Sequence, residues 1–285
     1  MNFKIVIMSS SDAAHRYHSQ GLLPVAQAMS NGLVDLGHKA EIGTRPDRYR
    51  INIVLGYHHL SGKRLPPGYD FIVYQLEQFP GFDTDTEMFR SFKTKALLTL
   101  ASCEYIWDFS QQNVAFLQER GIRAIHKPIG FHPAMFMVQH EQKKDIDFLF
   151  YGSKNDRRLA IMDKLAEKYR AKYIFGCYGE KRDAWLARSK VALGIHFFKS
   201  RLFDEVRASY FLNNKVFSVM EDTPYKKYTE VIEYTAYDKI IETCERLVNK
   251  PKEISRRREK SYEYFSNFPE KDFLEQALDE TLLPI

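Results

Sequence analysis

Cysteine is scarce in this chain: its 285 residues hold three, Cys103, Cys177 and Cys244, and no two of them form a CxxC pair. An odd number without that spacing supports neither a disulfide framework nor a zinc site, and a reducing compartment fits best. Long hydrophobic runs are missing as well. No stretch approaches the roughly 18 apolar residues that a membrane span needs. The opening MNFKIVIMSS is a charged, β-like run, too short for a secretory signal and without a cleavage site. A soluble, cytoplasmic protein with no membrane span is therefore expected. No GxGxxG follows the first apolar run, so a bound dinucleotide has no support. Low-complexity tracts and short repeats are absent too. Nor is the charge balance extreme: 42 basic against 37 acidic residues leave +5, with a pI near 8.9. That mild excess favours anionic ligands, nucleotides or nucleic acid, without choosing between them.

What is present suits a packed globular protein, with 44% hydrophobic and 14% aromatic residues. The length exceeds a typical domain of about 150 residues, so two domains are expected. Buried strands are predicted at 3–8, 39–42, 51–55, 71–76, 104–107 and 124–129. Helices are predicted at 22–36, closed by Gly37, at 84–100, and at 111–120 behind an N-cap at Asp108–Ser110. This alternation is that of a doubly wound domain over 1–132. Residues 132–144 have no periodicity and read as a linker. A second domain over 145–267 repeats the plan. Its strands are expected at 146–151, 172–175, 191–195, 216–219 and 231–234, and its helices at 155–169, 180–188, 203–212 and 237–249, with a basic helix after Pro251. The tail, 268–285, reads as a final amphipathic helix.

Candidate ligand residues follow from strand ends, because open parallel sheets bind ligands outside the carboxyl ends of their strands. The stretch 189–221 reads as strand, loop, helix, strand, and brings His196, Glu205, Arg207, Ser209 and Glu221 to such places. Gly152 and Ser153 follow a buried strand and open a helix, a turn whose amides suit a phosphate. Arg157 and Arg158 stand in the first turn of that helix, where positive charge opposes the helix dipole and so points to an anionic partner. Tyr178 and Gly179 sit at the same edge, and Tyr178 could stack on a base.

These segments, with IDFLFYGSKNDRR and KYIFGCYGEKRDAWLARSKVALGIHFF in order, resemble the C-terminal half of family 1-like nucleotide-sugar glycosyltransferases of the GT-B architecture. About half of the chain carries the resemblance. It implies an α/β fold of two Rossmann-like, doubly wound domains facing a cleft, with C-terminal helices crossing back onto the first domain. It also implies a hexosyl- or pentosyltransferase without a metal or other cofactor, using a UDP-sugar as co-substrate. In this reading Glu205 meets the sugar, Arg207 the diphosphate and Glu221 the ribose. Retaining enzymes of this kind commonly carry a second glutamate eight residues after the first, where this chain has Asn213, so the anomeric outcome stays open.

The acceptor side needs a base or a positioning carboxylate. Glu77 is the first choice, because a carboxylate directly after a buried strand rarely has a packing role. Asp12, His15, His18 and Asp108 are alternates, and His196 is a further catalytic candidate. The acceptor is expected to be a glycan or DNA. Some phage enzymes of this architecture glycosylate hydroxymethylated bases, and Arg45, Arg48 and Arg50 could then meet phosphates. Asp83-Thr-Asp85 and Asp145-Ile-Asp147 have the DxD spacing of metal-dependent enzymes, but the first reads as a turn and the second lies at a strand's beginning. Neither is expected to bind a metal. The competing reading is a non-catalytic nucleotide-sugar or nucleic-acid binding module with the same fold.

Overall fold

The computed structural model describes residues 1–12, 16–79, 87–198 and 202–282. The chain divides into two compact units, Met1–His132 with Phe268–Ile285, and Pro133–Asn267. Among the described residues no helix is long and apolar enough to cross a membrane.

The first unit alternates β1 (Asn2–Ile7), α1 (Leu23–Asp35), β2 (Lys39–Gly43), β3 (Ile51–Leu55), β4 (Asp70–Gln75), α2 (Glu87–Leu100), β5 (Tyr105–Asp108), α3 (Gln111–Gln118) and β6 (Ile125–His126). A 3₁₀ stretch, Arg16–Leu22, leads into α1. Pro24 in the first turn of α1 needs no hydrogen-bond partner there, and Gly37 at φ +77° takes the left-handed position that ends it. The strands are all parallel in the order β2-β1-β3-β4-β5-β6. From β1 the chain goes outward to β2 and returns on the other side to β3. The switch point therefore lies between the carboxyl ends of β1 and β3.

The second unit contains β7 (Ile146–Tyr151), α4 (Asp156–Ala166), β8 (Ala171–Ile174), α5 (Glu180–Arg188), β9 (Ser189–Gly194), α6 (Glu205–Asn213), β10 (Ser218–Glu221), β11 (Glu233–Thr235), α7 (Ile240–Val248) and α8 (Pro251–Phe265). Its parallel order is β11-β10-β9-β7-β8, which puts the switch point between β7 and β9. Phe148, Phe150, Val191 and Leu193 pack on one face, with α4 and α7, while Leu149 and Ala192 pack on the other, with α5 and α6. Burial on both faces explains why β7 and β9 read as unbroken apolar runs.

A last helix, α9 (Glu270–Leu282), belongs to the first unit. The backbone of Phe131 bonds to Phe268 and Glu270, each at 2.8 Å. The Lys127 ammonium and the Glu270 carboxylate form an ion pair in which both side chains are wholly buried. The second carboxylate oxygen accepts the Gly130 amide at 2.5 Å. Gly130 must be glycine, since a Cβ there would stand 2.5 Å from the Glu270 Cα. Farther along, Trp107 Nε1 donates to Thr281 Oγ1 at 2.9 Å.

The sequence reading and the structure differ at four places. Residues 133–144 are no linker: Val138 is fully buried, and Asn214 Oδ1 accepts the amides of Met137 and Val138 at 2.7 and 3.0 Å. The strand read at 216–219 lies at Ser218–Glu221, so Glu221 ends the strand instead of following it. The run read at 124–129 supplies only two strand residues. The helix read from 84 begins, within the described residues, at Glu87.

Candidate functional site

In the second unit the chain leaves β7 through Gly152 and Ser153 and enters α4 through Asn155. Asn155 is the N-cap: its side chain accepts the Arg158 amide at 3.0 Å and donates to the Phe197 carbonyl at 2.9 Å, tying the loop after β7 to the loop after β9. Gly152 has φ +139°, and two guanidinium groups converge on it. A Cβ at this position would lie 3.2 Å from Arg207 Nη2 and 3.6 Å from Arg158 Nη1. A side chain would both strain the backbone and push into the cations.

The two arginines differ in how their charge is met. Arg207 donates to the N-cap carboxylate of Asp204 at 2.8 Å and to the Tyr151 carbonyl at 2.7 Å. Burial, the largest single influence, opposes its charge, but Asp204 together with Tyr151 and Tyr173 holds the guanidinium's pKa above normal. Arg158 is only 5% exposed and bonds to two carbonyls, those of Ile195 at 2.9 Å and Ser153 at 2.9 Å. Among the described residues it has no ion-pair partner. Burial, reinforced by the neighbouring Arg207 charge, pulls its pKa down to about 9, which leaves it cationic at neutral pH. The Phe150 and Phe197 rings lie 4.9 and 5.2 Å from it and the Asp204 charge acts on it, but its hydrogen bonds go to carbonyls alone, and a buried cation so placed favours an anion.

Arg157 and Glu221 meet each other. The pair is bidentate, at 2.8 and 2.7 Å, and Glu221 also accepts the His196 amide at 3.0 Å. The guanidinium of Arg157 lies 4.0 Å over the Tyr237 ring. His196 is 6% exposed, and its Nε2 is buried without a hydrogen-bond partner. Burial lowers its pKa in spite of Glu221 and Asp204, so the ring is neutral at pH 7 and offers one donor or one acceptor. Glu205, 1% exposed, accepts from Lys227 Nζ at 2.6 Å.

The switch point of the first unit is different in character. Gly56, at φ +77°, turns the chain off β3, because a Cβ would meet the Met8 carbonyl at 2.9 Å. Tyr57, His58 and His59 follow. The Tyr57 hydroxyl is fully buried without a hydrogen-bond partner, and burial, with the charges of Glu77 and Asp108, raises its pKa. His58 Nδ1 lies 3.4 Å from Glu77 Oε1, and the Glu77 side chain is 36% exposed. Glu77 is held through its backbone: its amide donates to Gln75, and its carbonyl accepts from Gln75 and Asn113.

Several residues singled out in the sequence have other partners. Asp108 is fully buried and accepts from the Ser110 amide, Gln75 and Asn113 at 2.8–3.0 Å, so it organises the end of β5 and does not face an acceptor. Ser209 is buried and donates back to Val206 in its own helix. Arg48 lies over Tyr69, directly before β4 and thus where strands begin. Arg50 pairs with Glu41 and Asp47 at 2.6 and 3.2 Å, and Arg45 is exposed in the same loop. Asp12 lies in an exposed bend, with its amide on Ser10, and His18 stacks on Tyr17 at 4.1 Å in the 3₁₀ stretch. Tyr178 is half-buried between β8 and α5, and Gly179 caps α5 at φ +53°. Asp145 pairs with Arg188, and Asp147 with Arg170 and Lys190. Among the described residues no group of three acidic, histidine or cysteine side chains could hold a metal. His15, Asp83, Asp85, Lys199 and Arg201 lie outside the described residues.

The sequence reading missed Asp204, Lys227 and His58. The strand-end rule, applied at β3, would have found His58; no local signal marks Lys227, which stands 22 residues from its partner Glu205.

Two parallel, doubly wound α/β units define the fold class as that of the GT-B glycosyltransferases. No family model matches the chain, and no curated protein matches it in sequence. Among solved structures it is similar to TarM, with a TM-score of 0.59 over 91% of this chain at 8% identity; it spans 58% of the TarM chain. TarM of S. aureus in complex with Fondaparinux, alpha-GlcNAc-glycerol and UDP gives 0.57 over 91% of this chain and 59% of its own, at 9% identity. AviGT4, a glycosyltransferase involved in avilamycin A biosynthesis, gives 0.56 at 14% identity, with 99% of this chain and 97% of its own covered.

Proposed function

We propose that the chain is a metal-independent glycosyltransferase that moves a sugar from a UDP-sugar to a hydroxyl of a carbohydrate or polyol acceptor. The buried guanidinium of Arg158 beside Gly152, hydrogen-bonded to no carboxylate and sharing the single Asp204 charge with Arg207, is the observation that carries the reading at the switch point of the second unit. A diphosphate supplies the further negative charge that two guanidiniums beside one carboxylate favour, and α4 adds its N-terminal amides. The UDP bound in the TarM complex supports a uridine nucleotide. In the reaction the acceptor oxygen attacks the anomeric carbon, the bond from that carbon to the diphosphate breaks, and UDP leaves. The acceptor proton passes to Glu77, with His58 holding the carboxylate. The internal pairing of Arg50 and the position of Arg48 remove the main support for a DNA acceptor.

The test is release of nucleoside diphosphate from a panel of nucleotide sugars, with glycan, polyol and hydroxymethylated DNA acceptors offered separately. The expected result is UDP release stimulated by glycan or polyol and reduced about 10²- to 10⁴-fold by Glu77→Gln, the range that general base catalysis supplies. Stimulation by DNA alone would move the acceptor. Binding of UDP without turnover from any donor would leave a binding module in place of an enzyme.

A further inference from the structure

The first unit contains a cavity that the proposed transfer does not use. It has a volume of about 430 Å³, in the range of small-molecule sites, and lies where β3, β4 and β5 begin, at Ile51, Asp70 and Tyr105. The same strands end at Leu55, Gln75 and Asp108, beside His58 and Glu77, so the cavity and the acceptor side occupy opposite edges of one sheet. Rings of Tyr69, Phe71 and Tyr105 line it, with Leu65 and Leu278 among the aliphatic wall. Tyr69 and Phe71 are paired, with centroids 5.6 Å apart.

Its charge is one-sided. Asp70 and Glu104 line the cavity, and among the described residues no basic side chain does. Asp70 has no ion-pair partner among the described residues. The neighbouring Glu104 and Asp70 carboxylates raise the pKa of the Tyr105 hydroxyl, Glu104 most. Cations outside the lining include Arg123, which acts on Tyr105, Arg48, 5.4 Å over Tyr69, and Arg50 and Arg64, which directly precede the lining residues Ile51 and Leu65 in the chain. In a chain of net charge +5 this is a local acidic, aromatic chamber.

We infer that this cavity is a binding site for an organic ammonium ion with an apolar body. Aromatic faces attract a cation through their quadrupole, the two carboxylates provide its counter-charge, and the aliphatic wall takes the hydrocarbon part. A primary or quaternary amine meets all three features, whereas an anion meets two carboxylates with no opposing charge. The site is independent of the proposed transfer.

The test uses the full chain and isothermal titration with benzyltrimethylammonium, set against its neutral isostere neopentylbenzene. The expected result is saturable binding of the cation, one per chain, at least tenfold tighter than that of the neutral compound. It should weaken at least tenfold in the Asp70→Asn, Glu104→Gln double variant. Both carboxylates are solvent-exposed, so the double variant should keep its melting temperature and its UDP affinity. Equal binding of the neutral isostere, unchanged binding by the double variant, or no binding of the cation would each overturn the assignment.

Discussion

Two buried cations behave oppositely because of what faces them. Lys127 is matched: Glu270 takes its proton donors and fills its remaining acceptor capacity with the Gly130 amide. Glu270→Gln would leave an ammonium in the interior without a counter-charge, at a cost of about 3–5 kcal/mol, read as a drop in the urea midpoint. Replacing both partners by methionine should recover most of that loss, because no isolated charge then remains. Arg158 has carbonyl partners but no carboxylate hydrogen-bonded to it, so its removal should act on the complex as well as on the loops it ties. Arg158→Met should weaken UDP binding by about tenfold to a hundredfold, the worth of a charge-assisted hydrogen bond. Wild-type melting temperature should rise with UDP concentration, by mass action, and the variant should need about tenfold to a hundredfold more UDP for the same rise. A variant stabilised by UDP as strongly as the wild type would remove Arg158 from the site.

At the scale of elements, Gly152 and the segment before β7 each carry a measurable consequence. Gly152→Ala places a side chain at φ +139°, strained by about 1–3 kcal/mol, and crowds the Arg207 guanidinium at 3.2 Å. Stability and UDP affinity should both fall, whereas an alanine at exposed Gly121 should affect stability alone. The segment 133–144 is held by Asn214, which also accepts His140 through its carbonyl at 2.7 Å. Burial pushes His140 down to about 4. The folded chain therefore keeps this ring neutral where the unfolded chain, with an ordinary pKa near 6.5, takes up a proton. Stability should be flat above pH 6.5 from this source and fall between about 6.5 and 4. Denaturant midpoints of wild type and His140→Gln across that window check it; the variant should lose part of the slope. The element pattern itself was legible, since the unbroken apolar runs at β7 and β9 and the cap at Ser110 reflect local chemistry. Partnership was not. Arg157 and Glu221 were each marked as ligand residues, one for phosphate and one for ribose. They stand 64 positions apart, and nothing local to either says that they close on each other. The same holds for Asp108, whose strand-end position looks open in one dimension and is sealed by Gln75 and Asn113 in three.

For the whole molecule, the two units differ in how the chain builds them. The second is one continuous piece, Pro133–Asn267, whereas the first needs both ends of the chain. What the tail brings is specific: Glu270 for the Lys127 ammonium, Thr281 for Trp107, and Leu274 against Gly32, where a Cβ would come within 2.7 Å. Residues 1–132 alone would therefore lose the Glu270 counter-charge of Lys127, the Thr281 acceptor of Trp107 and the apolar cover that α9 gives, which together cost several kcal/mol. That is comparable to the roughly 5–15 kcal/mol by which a domain is stable at all. Residues 133–267 expressed alone should show a cooperative thermal transition. Residues 1–132 alone should show none until a peptide covering 268–282 is added. A cooperative transition by 1–132 without the peptide would mean that α9 is an ornament on the first unit and not one of its structural members.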